Sequence, residues 1–289
     1  MNNKLYDKFL YSLNKEIRYV INEQFNIGNM DLNSKSKHNV NIFNKNIPDY
    51  YGMYNKILKN EILTDIEIRQ LNDAVSVIKK KKKKALINIV EYYNNKFPNE
   101  SLNWLDVSMI TNMSGLFAGA DDMYHDNFIF NNYNGDISQW DVSNVTDMSS
   151  MFNGSYFNNN IGQWDVRNVK NMCEMFEDSF FNQDISEWNV SNVRNMTSMF
   201  RSAEFNKDIS RWNVSRVYDM SYMFMNSKFN QDISGWDVSH VTSMFEMFYR
   251  SQFNRDISGW NVYKVKQYDF IFFKCSIKEN FKPAKFRNI

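Results

Sequence analysis

The sequence predicts an α/β repeat solenoid, with a parallel sheet on one side of the stack and short helices or helical turns on the other. Three observations predict it. Six tryptophans between positions 140 and 260 recur every 24 residues, and each is followed two positions later by a valine, as on one face of a strand. Each copy then changes to the apolar spacing of a helix. A fixed period of this length is typical of coils that bury their apolar sides against one another.

The strand is predicted from the first half of each copy. In the copy that begins at Phe181, the residues Ile185, Trp188 and Val190 follow the L-x-x-L-x-L pattern of the strand in a leucine-rich repeat. Trp188 and Val190 are two positions apart and therefore point to the same face. Stacked copies are expected to pair these strands in a parallel sheet and to bury one tryptophan each in a structural core ladder: Trp140, Trp164, Trp188, Trp212, Trp236 and Trp260.

The second half of each copy predicts a short helix. Met196, Met199 and Phe200 stand at positions i, i+3 and i+4, which form one face of a helix. The residue before the first methionine is a preferred helix N-cap in every copy. Successive copies have Asp147, Asn171, Asn195, Asp219 and Ser243 at this position.

Two polar columns recur in register with the tryptophans. An asparagine follows an apolar residue at the start of each copy, and an aspartate stands two positions later, with Asn160 as the exception. As ligands these columns would form a ladder of metal sites, and as structural groups they would hydrogen-bond to turn amides. The structural interpretation is preferred, because packing needs the same residue in every coil and function rarely does.

The repeat unit closely resembles the BspA-like leucine-rich repeat family. Residues 229–239 read FNQDISGWDVS, a near-consensus copy, and the resemblance covers roughly residues 83–272. The segment 102–117 is similar to the family's usual entry repeat. The resemblance implies a solenoid recognition module, often displayed on cell surfaces for adhesion. The chain departs from the family in having no export signal or lipoprotein cysteine near its start.

The predicted solenoid spans residues 102–272 and is flanked by other segments. Residues 1–78 are predicted to form a helical N-terminal region of unknown role, and residues 79–101 an N-terminal capping helix and linker. An insertion is expected at about 118–132, because Trp104 and Trp140 are 36 residues apart rather than 24. Residues 273–289 are expected to form a C-terminal cap or tail.

A run of six lysines, Lys79–Lys84, is the one candidate for nucleic-acid binding. No aromatic residue or arginine is interleaved with it, and the net charge of the whole chain is only +1. The chain therefore lacks the broad basic field that steers nucleic acid. The run is interpreted as a solvated surface, and nucleic acid is not the expected partner.

The sequence predicts no enzyme, no metal site and no cofactor. The three histidines, His38, His125 and His240, lie in unrelated contexts, and no nucleophile, base and orienting group fall together. Cys173 and Cys275 have no zinc-like spacing and lie too far apart in the predicted stack for a disulfide. Without a signal peptide or a membrane span, the expected location is intracellular (cytoplasmic) or virion-associated.

These observations predict a non-enzymatic protein-binding scaffold, because solenoids present variable residues on a repeated frame. The identity of the protein partner stays open. One alternative is a structural component of a virion or surface layer that associates with itself, and a weaker one is nucleic-acid binding through the lysine run. The candidate partner-binding residues on the strand face are Gln139, Gln163, Arg167, Glu187, Arg211 and Tyr263.

Overall fold

The computed structural model describes residues 83–84, 86–122 and 127–288. The chain divides into two compact units, residues 1–82 and 83–289, and the described residues belong to the second. The helical region predicted for residues 1–78 therefore lies outside the described residues. No helix within the described ranges is long and apolar enough to cross a membrane.

The second unit is a stack of coils paired in register. Parallel β-bridges connect one position in each coil to the same position in the next coil, and from Asp147 onward these positions are 24 residues apart. The bridged position is the residue before the first methionine of the repeat. The column consists of Asn112, Asp147, Asn171, Asn195, Asp219, Ser243 and Gln267.

A ladder of backbone hydrogen bonds connects the coils on the methionine side. The amide nitrogens of Met148, Ser150 and Phe152 donate to carbonyl oxygens of the next coil at 2.8–3.0 Å. The same alternate amides donate in the later coils. Because these backbone groups lie against the core, the ladder gives each of them the partner that burial requires.

Successive β-turns stand where the sequence predicted a helix. The Met151 amide donates to the Met148 carbonyl at 3.2 Å, a separation of three residues rather than the four of an α-helix. Ser150, the third residue of this turn, has a φ of 53°, and the equivalent Glu174 and Ser198 have 57° and 55°. A type II turn requires a positive φ at this position. The amides that would donate within a helix donate to carbonyl groups of the next coil instead. Because the first and last residues of each turn are three positions apart, apolar residues at these positions have the spacing of a helix.

The Trp-x-Val segments do not form the predicted parallel sheet. Each is an extended piece between two turns, which are closed by the Trp188 amide on Ile185 and the Val193 amide on Val190. Burial still alternates as in a strand, so the inward and outward residues are those expected. The cross-coil bond here comes from a side chain, because the Trp188 Nε1 donates to the Ile161 carbonyl at 3.1 Å. The other five core tryptophans make the equivalent bond.

Identical side chains stack along the core. The rings of Trp188 and Trp212 are 6.5 Å apart and 5° from parallel, and those of Phe176 and Phe200 are 5.7 Å apart. Within one coil, the Phe176 ring lies 4.3 Å from the ring of Phe181. The six core tryptophans are each 3–5% exposed. Aromatic rings buried in this way supply much of the apolar area that stabilises the stack.

The first coil is displaced by one residue from the sequence prediction. Asn112 pairs with Asp147, 35 residues along the chain rather than 24, so the insertion has 35 − 24 = 11 residues and not 12. Leu105 therefore occupies the tryptophan position, where it packs against the core. Trp104, one residue earlier, is 63% exposed. Counting from Trp104 was misleading because this tryptophan does not belong to the core column.

The insertion contains a β-hairpin. Its strands, β1 (Ala120–Asp122) and β2 (Asn127–Ile129), pair antiparallel. The chain leaves and rejoins the stack at the end of the turns on the methionine side. At these points the Gly119 amide donates to the Asn153 carbonyl at 2.8 Å, and the Asn131 amide donates to the Gly154 carbonyl at 2.9 Å.

A helix, α1 (residues 86–96), covers the first coil. Its Leu86 and Val90 side chains are buried in the same cluster as Leu102, and Tyr93 packs at the edge. The helix therefore lies where the sequence predicted an N-terminal cap.

One lysine of the run is tied to the first coil. The Lys83 ammonium donates to the side chains of Asn112 and Ser114, the second at 3.0 Å, whereas Lys84 is exposed. Lys83 is therefore not a solvated side chain as the sequence predicted, because its ammonium group hydrogen-bonds to polar side chains at the open end of the bridge column.

Two short 3-10 turns, Glu279–Phe281 and Ala284–Phe286, lie at the other end. Phe286 is fully buried, 5.1 Å from the ring of Tyr268 and 6.3 Å from that of Phe272. The C-terminal residues are therefore packed onto the last coil and shield its apolar groups from water.

Candidate partner-binding surfaces

The aspartate column acts within its own coil. The Asp184 Oδ1 atom accepts from the Ser186 amide at 2.9 Å, and equivalent bonds form in the other coils. This hydrogen bond holds the pKa of the Asp184 carboxyl below its usual range. Asn160, the exception in the column, makes the same bond to the Gly162 amide. An amide oxygen can therefore replace the carboxylate, and the shared property is the acceptor rather than the charge.

The asparagine column connects neighbouring coils. The Asn182 Oδ1 atom accepts from the Asn206 amide at 3.0 Å, and the Asn206 Oδ1 atom accepts from the Asn230 amide at 2.9 Å. The same ladder runs from Asn134 to Lys278. Backbone donors therefore use the oxygens that a metal would need. Among the described residues, no group of three or more histidines, cysteines, aspartates and glutamates could hold a metal ion.

All six residues predicted to bind a partner are exposed, and they lie in two columns of turns rather than on a strand. One column precedes the tryptophans, and there the Arg211 guanidinium lies 3.5 Å from the Glu187 carboxylate. In the other column, Arg167 pairs with Asp165 at 2.7 Å, and Tyr263 is 88% exposed. These polar columns, as we call them, consist of Gln139, Gln163, Glu187 and Arg211, and of Arg167 and Tyr263.

Three aromatic residues, two of them exposed and one half-buried, form a group that the sequence analysis missed. This corner cluster consists of Phe130, Tyr156 and Phe180, where the chain leaves the methionine side next to the hairpin. The Tyr156 and Phe180 rings are 4.8 Å apart, and Phe130 lies 5.1 and 6.0 Å from them. Tyr156 and Phe180 are each 44% exposed. The available signal was that later coils have polar residues at this position: Glu204, Lys228, Gln252 and Ser276.

A second exposed surface lies over the turns of the methionine side. This turn face comprises the outward residues of turns 171–178, 195–202, 219–226, 243–250 and 267–274. Its last turns have aromatic residues, with the Tyr249 and Phe273 rings stacked at 5.3 Å and Phe270 at 5.9 Å from Phe273. The Arg250 guanidinium lies over the Tyr249 ring at 5.3 Å, and the Lys274 ammonium over the Phe273 ring at 5.5 Å.

The first turn of the turn face is acidic. Glu174, Glu177 and Asp178 lie within five residues, and Glu177 is 7% exposed. Burial raises the pKa of Glu177 to about 7, helped by the two neighbouring carboxylates, although Arg201 at 2.9 Å opposes the shift. This end of the turn face therefore differs in charge from the aromatic end.

The described cysteines lack the features of activated nucleophiles. Burial raises the pKa of the Cys173 thiol to about 12 and also raises that of Cys275. A reactive cysteine needs a lowered pKa, because the thiolate is the nucleophile. His240 is exposed, with its Nδ1 atom 3.4 Å from the Ser239 hydroxyl. His38 and His125 lie outside the described residues.

The in-register bridges, the asparagine ladder and the stacked aromatic core together define a repeat protein. The chain belongs to the family described as Mycoplasma protein of unknown function, DUF285, whose model matches residues 68–132, 84–205, 123–226 and 179–284. These overlapping matches agree with the repeated unit. Comparisons with curated proteins and with solved structures found no match.

Proposed function

We propose that the chain is a non-enzymatic protein-binding scaffold, built on a leucine-rich-repeat-like solenoid of the BspA-like type. The solenoid class is supported by the 24-residue register and by the backbone ladder on one side of each coil. The binding role is supported by one observation above the others. The corner cluster exposes the stacked rings of Tyr156 and Phe180 on a frame whose core rings are buried.

Exposed aromatic groups of this kind suit a binding site. Aromatic anchors dominate the binding energy of protein interfaces, because they bury a large area with few rotatable bonds. The backbone positions of Tyr156 and Phe180 are fixed by ladder bonds, from their amides to Asn131 and Ser155, at 3.0 and 3.1 Å. The backbone that carries the two rings is therefore held in place before a partner arrives, which reduces the entropy lost on binding.

The same column continues into a polar rim. Glu204 and Lys228, in the next two coils, form an ion pair of 2.6 Å. Interfaces commonly surround an apolar centre with charged groups that choose the partner more than they strengthen binding. The proposed partner is therefore a protein segment with an apolar side chain for the corner cluster and polar groups beside it.

The polar columns remain in the proposal as a second, weaker surface. Their exposed arginines and Tyr263 are residue types that interfaces use, but they are spread over several coils without a shared aromatic centre. We expect them to contribute selectivity rather than most of the binding energy.

The experiment selects peptides that bind the purified full chain from a phage-displayed random library. Peptide affinity is then measured for Phe180→Ala and for Tyr218→Ala, a matched control that removes a 49% exposed aromatic side chain outside the corner cluster. Phe180→Ala is expected to weaken binding by at least about tenfold, as loss of an aromatic anchor does. Tyr218→Ala should bind like the wild type.

Thermal melting of both variants checks that they are folded. A library that yields no binder would contradict the proposed function. Peptides that lose affinity equally in both variants would contradict the proposed location of the site.

A further inference from the structure

Two neighbouring columns of the turn face change character from one end to the other. The outer column begins with an acidic residue and ends with two cations, and the inner column begins with charged residues and ends with aromatic rings. The outer column is Asp178, Ser202, Asn226, Arg250 and Lys274. The inner column is Glu177, Arg201, Met225, Tyr249 and Phe273.

When a second copy of the columns is placed opposite with the order of its coils reversed, residues of complementary chemistry face each other. A two-fold axis lying in the turn face along turn 219–226 keeps each column but reverses the order of the coils. Asp178 of one copy then faces Lys274 of the other, and Arg201 faces the ring of Tyr249. Met225 faces itself at the centre. The contacts of Asp178 with Lys274 and of Arg201 with Tyr249 each occur twice, as in an isologous interface.

One matched pair in each column attracts, whereas the buried Glu177 faces the Phe273 ring and Ser202 faces Arg250 without an opposite charge. Asp178 and Lys274 have opposite charges, and both are exposed. An arginine over a tyrosine ring is a favourable cation–π pair, which becomes stronger when water is excluded. The anions Glu246 and Asp269 belong to other columns of the same face, so they do not reverse the sign at Lys274.

We infer that the turn face binds a second copy of this chain, in an antiparallel arrangement with Asp178 against Lys274 and Met225 at the two-fold axis. The inference goes beyond the proposed function, because the turn face and the corner cluster are different surfaces. Self-association through the turn face leaves Tyr156 and Phe180 free to bind another protein, once in each copy.

The size of the turn face sets the expected strength. Five turns stacked at ~4.8 Å span only about 20 Å along the stack. Such a face is smaller than the ~800 Å² per partner of a standard stable interface, so the dimer should be weak and reversible. A dissociation constant on the order of 10–100 μM corresponds to this class of contact.

The test measures the sedimentation of the full chain at concentrations from about 1 to 500 μM, a range that brackets the expected dissociation constant. Wild type should pass from monomer to dimer. Asp178→Lys and Lys274→Asp should each weaken the dimer at least about tenfold, because like charges then face each other. The double variant should recover to within about threefold of wild type, because the charges are exchanged.

The recovery is diagnostic of contact between two copies. Within one chain, Asp178 and Lys274 lie four coils apart, about 19 Å, which exceeds the ~8 Å screening length at physiological salt. Glu187→Lys makes the same charge change on a polar column and should leave the dimer unchanged. A monomeric wild type, a double variant as weak as the singles, or an equal effect of Glu187→Lys would each overturn the inference.

A cross-linking variant does not depend on charge. Met225→Cys places a thiol at the two-fold axis, where two copies should form a disulfide-linked dimer under mild oxidation. Asn153→Cys lies in the same column three coils away and should not cross-link, because the antiparallel arrangement leaves it without an opposite turn. Equal cross-linking of the two variants would exclude the proposed axis. The peptide-binding experiment is unaffected by either result, so each proposal can fail without the other.

Discussion

The variant Trp188→Ala tests the assignment of frame and surface. Trp188 is 3% exposed, its ring lies 6.5 Å from that of Trp212, and its Nε1 donates to the Ile161 carbonyl at 3.1 Å. Removing the indole leaves a cavity, at a cost of about 3–5 kcal/mol. The Ile161 carbonyl also loses its donor, which costs about 1–3 kcal/mol unless water enters the cavity.

The expected loss is therefore about 4–8 kcal/mol, a large part of the stability of a typical domain. The melting temperature of a unit of this size falls by about 2–4 °C for each kcal/mol of lost stability. The melting temperature of Trp188→Ala should therefore be at least about 8 °C below that of wild type. The assay is thermal and urea unfolding followed by circular dichroism. Trp188→Phe keeps an aromatic ring and removes the donor, so its smaller loss reports the hydrogen bond together with the reduced volume.

The matched control is Arg211→Ala, at an exposed position that precedes the tryptophan of the next coil. Its ion pair with exposed Glu187 is 3.5 Å long, so the loss should be at most about 0.5 kcal/mol. A harmless Trp188→Ala together with an unfolding Arg211→Ala would show that the inward and outward residues have been exchanged.

Three further variants test the turns, the ladder and the buried carboxyl. Gly115 has a φ of +65° with nothing within 4 Å of an added Cβ, so Gly115→Ala should lose about 1–2 kcal/mol by urea titration. Gly235→Ala, equally open without a positive φ, should be neutral, and equal losses would contradict the turn geometry. Asn206→Leu leaves the Asn230 amide without its acceptor and should cost about 1–3 kcal/mol, whereas Asn206→Asp keeps an acceptor and should cost less. The reverse order would argue against the ladder. The pKa of Glu177, about 7, exceeds its ordinary 4.5, so its contribution to stability is present below about pH 4.5 and is lost as the pH rises through 7. Between about pH 5 and 8 the free energy of unfolding should therefore fall by at most about 3 kcal/mol in wild type, and by less in Glu177→Gln. Equal pH dependence in the two proteins would show that another group is responsible.

Much of the frame could be predicted because it depends on residues that recur in every coil. The tryptophan spacing gives the register, and the alternation around Trp188 identifies the inward side chains, since a residue that recurs every 24 positions must meet its own copy in the next coil. The structural interpretation of the asparagine column rested on the same reasoning. The insertion was misjudged by one residue because Trp104 is an exposed aromatic residue beside the true core position.

The candidate surfaces were less accessible to sequence reasoning. Phe130 and Phe180 lie 50 residues apart, and they meet only because the hairpin insertion rejoins the stack beside the corner. The turn-face pairing of Asp178 with Lys274 depends on which residues of a turn point outward. The sequence predicts helices at these turns and candidate partner-binding residues on the opposite side.

The sequence by itself determined the repeat character, the period, the buried residues and the polar columns, because each follows from a pattern repeated many times. Only the tertiary structure decided the local backbone. Apolar residues at i, i+3 and i+4 suit both a helix and a pair of turns, and the choice depends on where the alternate amides find acceptors. In this stack the next coil supplies those acceptors at 2.8–3.0 Å, so turns with positive φ replace the helix. That hydrogen bonding joins residues in different coils and is therefore not visible in any single copy of the repeat.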